Sequence, residues 1–296
     1  MKNRKNSVYK WLFFVSLGSL VVACVFFGIE RKKTLQLSKI VEKQDSIVAP
    51  YYEKSVLEPL PRLKKVDKKP IKIPIIMYHY VEYVKDDGDL IRKKLDIVPA
   101  LFEGHLKALR AANYETYFVK DIPDILNGSV HYSTQSAILS FDDGYEDFYT
   151  DVFPLLKKYH MRATLYVIYD YMGRKGFLNE QQIRELIESD LVEIGSHTLD
   201  HIYLKQAPKE YADKQIIESK KKFENTFGIK ISTFAYPYGA FNTDNVETVK
   251  NAGYTAAVSV IYGEMQSEDN LFYLSRIRPG LFTPSTMIQT IEGINK

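Results

Sequence analysis

The sequence predicts an α/β domain, a parallel sheet with helices outside it, set behind an uncharged N-terminal segment. Three observations lead there. From Ile71 onward, short apolar runs rich in β-branched residues alternate with stretches of helical apolar spacing. The Asp, His and Gly-containing clusters follow directly on the apolar runs, which puts them at the carboxyl ends of strands, where parallel barrels carry their sites. Finally, Trp11 to Ile29 is a run of 19 residues without a charge, long enough to span a bilayer.

The N-terminal part divides at residues 30 and 70. Lys2, Arg4, Lys5 and Lys10 precede the uncharged run, and Glu30, Arg31, Lys32 and Lys33 follow it. The bias favours a cytoplasmic N-terminus and a bulk outside, so residues 1–30 are expected to be a basic tip and a single-pass transmembrane helix in the cell membrane, with the domain extracellular. A cleaved secretory signal and a lipoprotein signal, suggested by Val21-Val22-Ala23-Cys24, are the alternative readings. Cys24 is the only cysteine, which excludes an intrachain disulfide. Residues 31–70 hold 11 Lys/Arg against 5 Asp/Glu with four prolines and no glycine, and read as a basic stalk. Residues 71–296 carry 25 basic and 31 acidic residues, a net −6 beneath the overall +3. An acidic domain is a poor nucleic-acid binder, so no nucleic-acid partner is expected.

Within the domain, Ile73–Tyr80 reads as a strand and Pro99–Ala112 as a helix, from the spacing of Leu101, Phe102, Leu106 and Leu109. Ala137–Phe141 is a buried strand, and helical spacing returns through Phe148, Val152, Leu155, Leu156 and Tyr159. Strand Ala163–Ile168 and a helix capped by Asn179 come next. Strand Leu191–Gly195 precedes a long polar helix over Lys209–Phe227. Ile231–Tyr236 is a strand meeting Pro237-Tyr238-Gly239. A helix near 245–251, a strand near 255–260 and a helix from Pro284 complete the chain.

The chemistry concentrates in two runs, Ser140-Phe141-Asp142-Asp143-Gly144 and His197-Thr198-Leu199-Asp200-His201. Two carboxylates at the end of an apolar strand have side chains that diverge, so one can bind a metal while the other faces the open position. Histidines four residues apart fit one face of a helical turn, a frequent metal-ligand spacing. Asp143, His197 and His201 supply one oxygen and two nitrogens, a zinc set that leaves a position for water, and Asp142 is placed to take a proton from it. Cobalt or nickel would suit the same ligands.

These two runs, with Tyr236-Pro237-Tyr238-Gly239, stand in the order and approximate spacing found in the polysaccharide deacetylases, the NodB-homology or carbohydrate esterase family 4 group. The resemblance spans about Ile71 to Arg278. It implies a distorted (β/α)7 barrel, a divalent metal, and removal of acetyl groups from N-acetylated glycans. By position it makes Asp142 the general base, Asp143, His197 and His201 the metal ligands, and the Tyr238 backbone N–H an oxyanion donor. Two departures from the family pattern matter. Ala235 stands where an arginine usually tunes the base, and no histidine follows His201 to serve as acid. A subgroup acting on exopolysaccharides, including poly-N-acetylglucosamine, resembles the chain more closely. Its pattern implies His79, in Met77-Tyr78-His79-Tyr80-Val81, as general acid. It also implies Arg276, in Leu274-Ser275-Arg276-Ile277-Arg278, as the partner of Asp142. Tyr80, Tyr236 and Tyr238 are expected near the mouth, where they could stack on sugar rings. A metal-dependent amidase acting on a non-glycan amide and a wall-binding pseudoenzyme are the competing readings.

Overall fold

The computed structural model describes residues 69–84 and 88–293. The expected transmembrane segment, Cys24 and all of the stalk before Lys69 lie outside them. Among the described residues no helix is long and apolar enough to cross a membrane.

In chain order the elements are β1 (Ile71–Lys72), β2 (Ile75–Tyr78), β3 (Tyr80–Val81), α1 (Leu90–Leu95), β4 (Asp96–Ile97), α2 (Pro99–Ala111), β5 (Glu115–Tyr117), α3 (Ile122–Asn127) and β6 (Ser136–Phe141). There follow α4 (Phe153–Tyr159), β7 (Ala163–Val167), α5 (Glu180–Glu188), β8 (Val192–Ser196), α6 (Lys209–Phe227), β9 (Thr233–Ala235) and α7 (Thr243–Asn251). The chain ends with β10 (Ala256–Tyr262), β11 (Met265–Gln266), β12 (Leu274–Arg276) and α8 (Pro284–Glu292).

The main sheet runs β12-β10-β9-β8-β7-β6-β2, with β5 also on β6, and every pairing in it is parallel. Parallel strands need crossovers, and the alternating helices supply them. The two ends of this path meet where Ile76 bridges Ile277: Met77 N donates to Ile277 O and Ile277 N to Ile75 O, both at 2.8 Å. The result is a nearly closed parallel barrel with its helices outside, in agreement with the barrel expected.

Sequence chemistry explains the boundaries. Asn179 caps α5 through Gln182 N and Asn242 caps α7 through Asn245 N, each with a reciprocal side-chain bond. α6 stops at Gly228, whose φ of 69° needs no Cβ. The strands β2, β6, β7 and β8 are buried along their whole length; β2, β6 and β7 accordingly read as mainly apolar runs, while β8 buries Glu193, which accepts from Thr164 Oγ1 and Thr233 Oγ1. Between β6 and its helices, Phe141 meets the rings of Tyr78, Phe102 and Phe148 at 5.0, 5.6 and 4.9 Å. Burying a phenylalanine of this kind contributes about 2 kcal/mol. The strand expected over 73–80 is broken at His79, so that β3 leaves the barrel and pairs with β4 instead. Residue 79 is thereby turned out of the sheet at the barrel mouth.

Candidate active site

Six side chains, His79, Asp142, Asp143, His197, His201 and Arg276, converge where β2, β6, β8 and β12 end. Asp142 N continues the ladder from β6 by donating to Tyr78 O at 3.1 Å. The chain then bends sharply, with Asp143 at φ 77° and Gly144 at φ 79°. A Cβ on Gly144 would come within 3.0 Å of Val167 Cγ1, so the close pass over β7 requires glycine. This bend separates the two carboxylates: both are buried, and they face different partners.

Asp143 faces the histidines. Its Oδ1 lies 3.4 Å from His197 Nε2 and 3.3 Å from His201 Nε2. One ligand atom from each residue falls within a 4.8 Å cluster. His197 Nδ1 is 2.8 Å from Ala235 O, and a carbonyl can only accept, so Nδ1 carries the proton and the Nε2 lone pair is free toward Asp143. Asp143 Oδ1 is buried and accepts no hydrogen bond. A buried anionic oxygen without a donor, facing two imidazole nitrogens, is a donor set that fits a divalent cation such as zinc.

The loop carrying the histidines differs from the helical turn expected. Thr198 and His201 both adopt left-handed backbone, at φ 68° and 59°. For a β-branched threonine that conformation is strained and must be held from outside. Gln215 of α6 holds it: this 2 %-exposed side chain accepts Leu199 N at 3.0 Å and Asp200 N at 3.2 Å through Oε1. Thr198 Oγ1 accepts His201 N at 3.0 Å. Sequence reading missed Gln215, because one glutamine in a polar helix gives no sign of facing inward.

Asp142 faces Arg276. The guanidinium grips it in a fork, Nη1 to Oδ1 at 2.8 Å and Nη2 to Oδ2 at 2.7 Å. Arg276 is fixed in turn by Nε donating to Ser259 O at 2.7 Å and by Ser140 Oγ at 3.4 Å from Nη1. Burial works to raise the Asp142 pKa, but the charge and paired hydrogen bonds of Arg276 outweigh it and hold the carboxyl below its ordinary value. His79 Nε2 stands 3.9 Å from Asp142 Oδ2. Burial lowers the His79 pKa, against the opposing pull of Asp142 and Asp143.

The three tyrosines separate. Tyr238 is 49 % exposed, sits at φ 58° in the 237–239 turn, and has its ring 4.5 Å from that of His201. The turn's own hydrogen bonds use Gly239 N and Ala240 N rather than Tyr238 N. Tyr236 is 1 % exposed, stacks on Phe241 at 4.6 Å and donates its hydroxyl to Phe272 O. Tyr80 lies between the Tyr145 ring and the Arg92 guanidinium, which cover both of its faces. Neither Tyr236 nor Tyr80 can therefore offer a ring face to a sugar, contrary to expectation; both are framework.

Comparison with known proteins agrees with this geometry. The family model described as polysaccharide deacetylase matches residues 130–257. YxkH of Bacillus subtilis (strain 168), which carries the name polysaccharide deacetylase, is 32 % identical over 216 residues, covering 72 % of this chain and 74 % of the relative. The poly-beta-1,6-N-acetyl-D-glucosamine N-deacetylase of Staphylococcus aureus (strain MSSA476) is 26 % identical over 198 residues, 62 % of this chain and 68 % of that protein. Among solved structures, the Streptococcus pyogenes deacetylase PplD in complex with acetate superposes with a TM-score of 0.70 at 27 % identity, covering 75 % of this chain and 99 % of that one. Sequence, fold and relatives converge: this chain belongs to the polysaccharide deacetylase family.

Proposed function

We propose that the protein is a metal-dependent hydrolase that removes N-acetyl groups from an N-acetylglucosamine-containing polysaccharide of the cell envelope or its surroundings, releasing acetate. The observation that carries this reading is the pair of adjacent carboxylates with opposite partners. Asp143 turns its Oδ1, which accepts no hydrogen bond, toward two imidazoles, while Asp142 is gripped by Arg276. The similarity to a poly-beta-1,6-N-acetyl-D-glucosamine N-deacetylase supports the substrate class.

Asp143, His197 and His201 would hold the cation, with zinc the favoured ion and cobalt or nickel acceptable to the same ligands. A cation there supplies Lewis acidity toward the acetamide carbonyl and an acidified water. Asp142, kept ionised and aimed by Arg276, takes a proton from the attacking water. The Tyr238 N–H donates to the oxygen on which negative charge develops. His79, on the Asp142 side of the cluster, delivers a proton to the departing amine. Tyr238 adds an exposed ring beside His201 for contact with the sugar.

We further propose that residues 11–29 hold the chain at the cell membrane with the domain outside, on the strength of the uncharged run and its basic flank. A glycan polymer suits an enzyme tethered in this way better than a small amide does.

Acetate release from N-acetylglucosamine oligomers with added zinc tests the reaction, run beside Asp142→Asn and His79→Ala. Zinc-dependent release that falls at least a hundredfold in both variants is expected. Full activity in His79→Ala would remove that residue from the mechanism. Metal binding without release from any glycan would overturn the deacetylase reading in favour of an amidase or a pseudoenzyme.

A further inference from the structure

The loops after β2, β6 and β7 carry an unbroken stack of side chains across the mouth of the barrel. The Arg92 guanidinium lies 4.4 Å from the Tyr80 ring centroid. Tyr80 and Tyr145 stack at 3.7 Å with 19° between their planes. Tyr145 meets Phe177 at 5.0 Å, Phe177 meets Tyr171 edge-on at 5.0 Å, and the Arg174 guanidinium lies 4.3 Å over Tyr171. The row passes the candidate metal ligands at Tyr145, which stands two residues after Asp143.

Backbone bonds pin this wall. Tyr145 and Phe177 form an antiparallel bridge. Leu178 N donates to Gly144 O and Glu146 N to Gly176 O, both at 3.0 Å, and Gly173 N to Leu178 O at 2.9 Å. The loop after β7 is therefore held against the loop after β6 by its backbone. The two ends of the wall differ in charge. Arg92 is ion-paired with Glu82 and lies 3.6 Å from Asp89. Arg174 is exposed, has no ion pair among the described residues, and is followed by exposed Lys175. Half-buried Phe177 and Tyr171, with an exposed guanidinium over Tyr171 that has no ion pair among the described residues, are the combination that sugar sites use: apolar ring surface for C–H faces and a planar donor for hydroxyl and carbonyl oxygens.

We propose that Phe177, Tyr171 and Arg174 form a subsite for a neighbouring sugar of the N-acetylated glycan chain, one that still carries its acetyl group. This rests on the deacetylase reading. A deacetylated unit is a cation, and Arg174 and Lys175 repel it. The wall then distinguishes acetylated neighbours from product, in addition to adding contact area.

The test is calorimetric titration of the full-length protein in an Asp142→Asn background, which blocks turnover, with β-1,6- and β-1,4-linked N-acetylglucosamine pentamers, their deacetylated counterparts and the monomer. Arg174→Gln and Phe177→Ala should each weaken pentamer binding about tenfold. Monomer affinity should stay unchanged, and Arg174→Gln should narrow the preference for acetylated over deacetylated pentamer. Unchanged pentamer affinity in Arg174→Gln, an exposed site where misfolding is no explanation, overturns the proposal, as does failure of both pentamers to bind. Pentamer binding through the wall with no acetate released by the unmutated enzyme would leave the subsite standing and remove the deacetylase reading. Acetate release with equal kcat/KM in the unmutated enzyme and both wall variants would do the reverse.

Discussion

Asp142 and Arg276 form a buried ion pair, and its energetics separate holding the fold from doing the chemistry. A bidentate pair cannot be made by lysine, whose ammonium is a point charge. Arg276→Lys should therefore keep the fold but lower kcat by about 10- to 100-fold with little change in KM, read from steady-state acetate release. Arg276→Met should be worse, because it strands a buried carboxylate at a cost of about 3–5 kcal/mol. In the double variant Asp142→Asn, Arg276→Met much of that loss should return in urea unfolding while activity stays absent; additive losses would show that the two residues do not act as a pair. Gln215 has a different duty. Gln215→Leu removes the acceptor for two loop N–H groups, and should weaken zinc binding by about 10- to 100-fold in chelator competition. At this scale the sequence showed the groups that lie close along the chain, Asp142-Asp143 and the 197–201 run. Arg276 was reachable only through family resemblance, since 134 positions separate it from Asp142. Gln215 was not reachable at all, because what places it is the packing of α6 against a loop with left-handed backbone.

Elements were legible where burial imposes a pattern. α6 was legible from Lys209 to Phe227 because its inward residues, among them Ala212, Ile216, Phe223 and Phe227, recur at helical spacing. β5 and α3 were missed, β5 being three residues with no fully buried member and α3 a helix of six. The 148–159 segment was read as one helix, but its first turn is a π-helix over Phe148–Val152. Asp147, at the head of that turn, accepts Val81 N and so ties β3 to it, which keeps the chain after His79 in place. Burial, reinforced by Glu82, pushes its pKa up to about 7 from an ordinary 3.8. A carboxyl whose folded value lies above its unfolded value stabilises the fold fully below the unfolded value and loses that contribution as pH rises through the folded one. Stability should therefore fall between about pH 4 and 7, the unfolded and folded values, with a ceiling of roughly 4 kcal/mol from this group. In Asp147→Asn the difference in urea midpoint between those two pH values should shrink; a difference equal to that of the unmutated protein would refute the assignment.

The whole barrel gathers ligands that are remote in sequence: Asp143 stands at the end of β6, His197 at the end of β8, and His201 four residues further on a loop braced by α6. A cation bound to all three joins the ends of β6 and β8, on either side of β7, and a loop, and the unfolded chain offers no such site, so binding must add to folding stability. At a zinc concentration a hundred times the dissociation constant the gain is about 2.7 kcal/mol. For a domain of this size that corresponds to a rise of roughly 5–10 °C in Tm. Chelator should abolish both the rise and acetate release, and re-added zinc should restore both. Two variants divide the site by function. Asp143→Ala removes a ligand and should lose the thermal shift together with activity. Asp142→Asn removes the proposed base while leaving the ligands, so it should lose activity and keep the shift. A shift that survives Asp143→Ala and vanishes in Asp142→Asn would reverse the two roles, and with them the reading that each carboxylate is assigned its duty by the partner it faces.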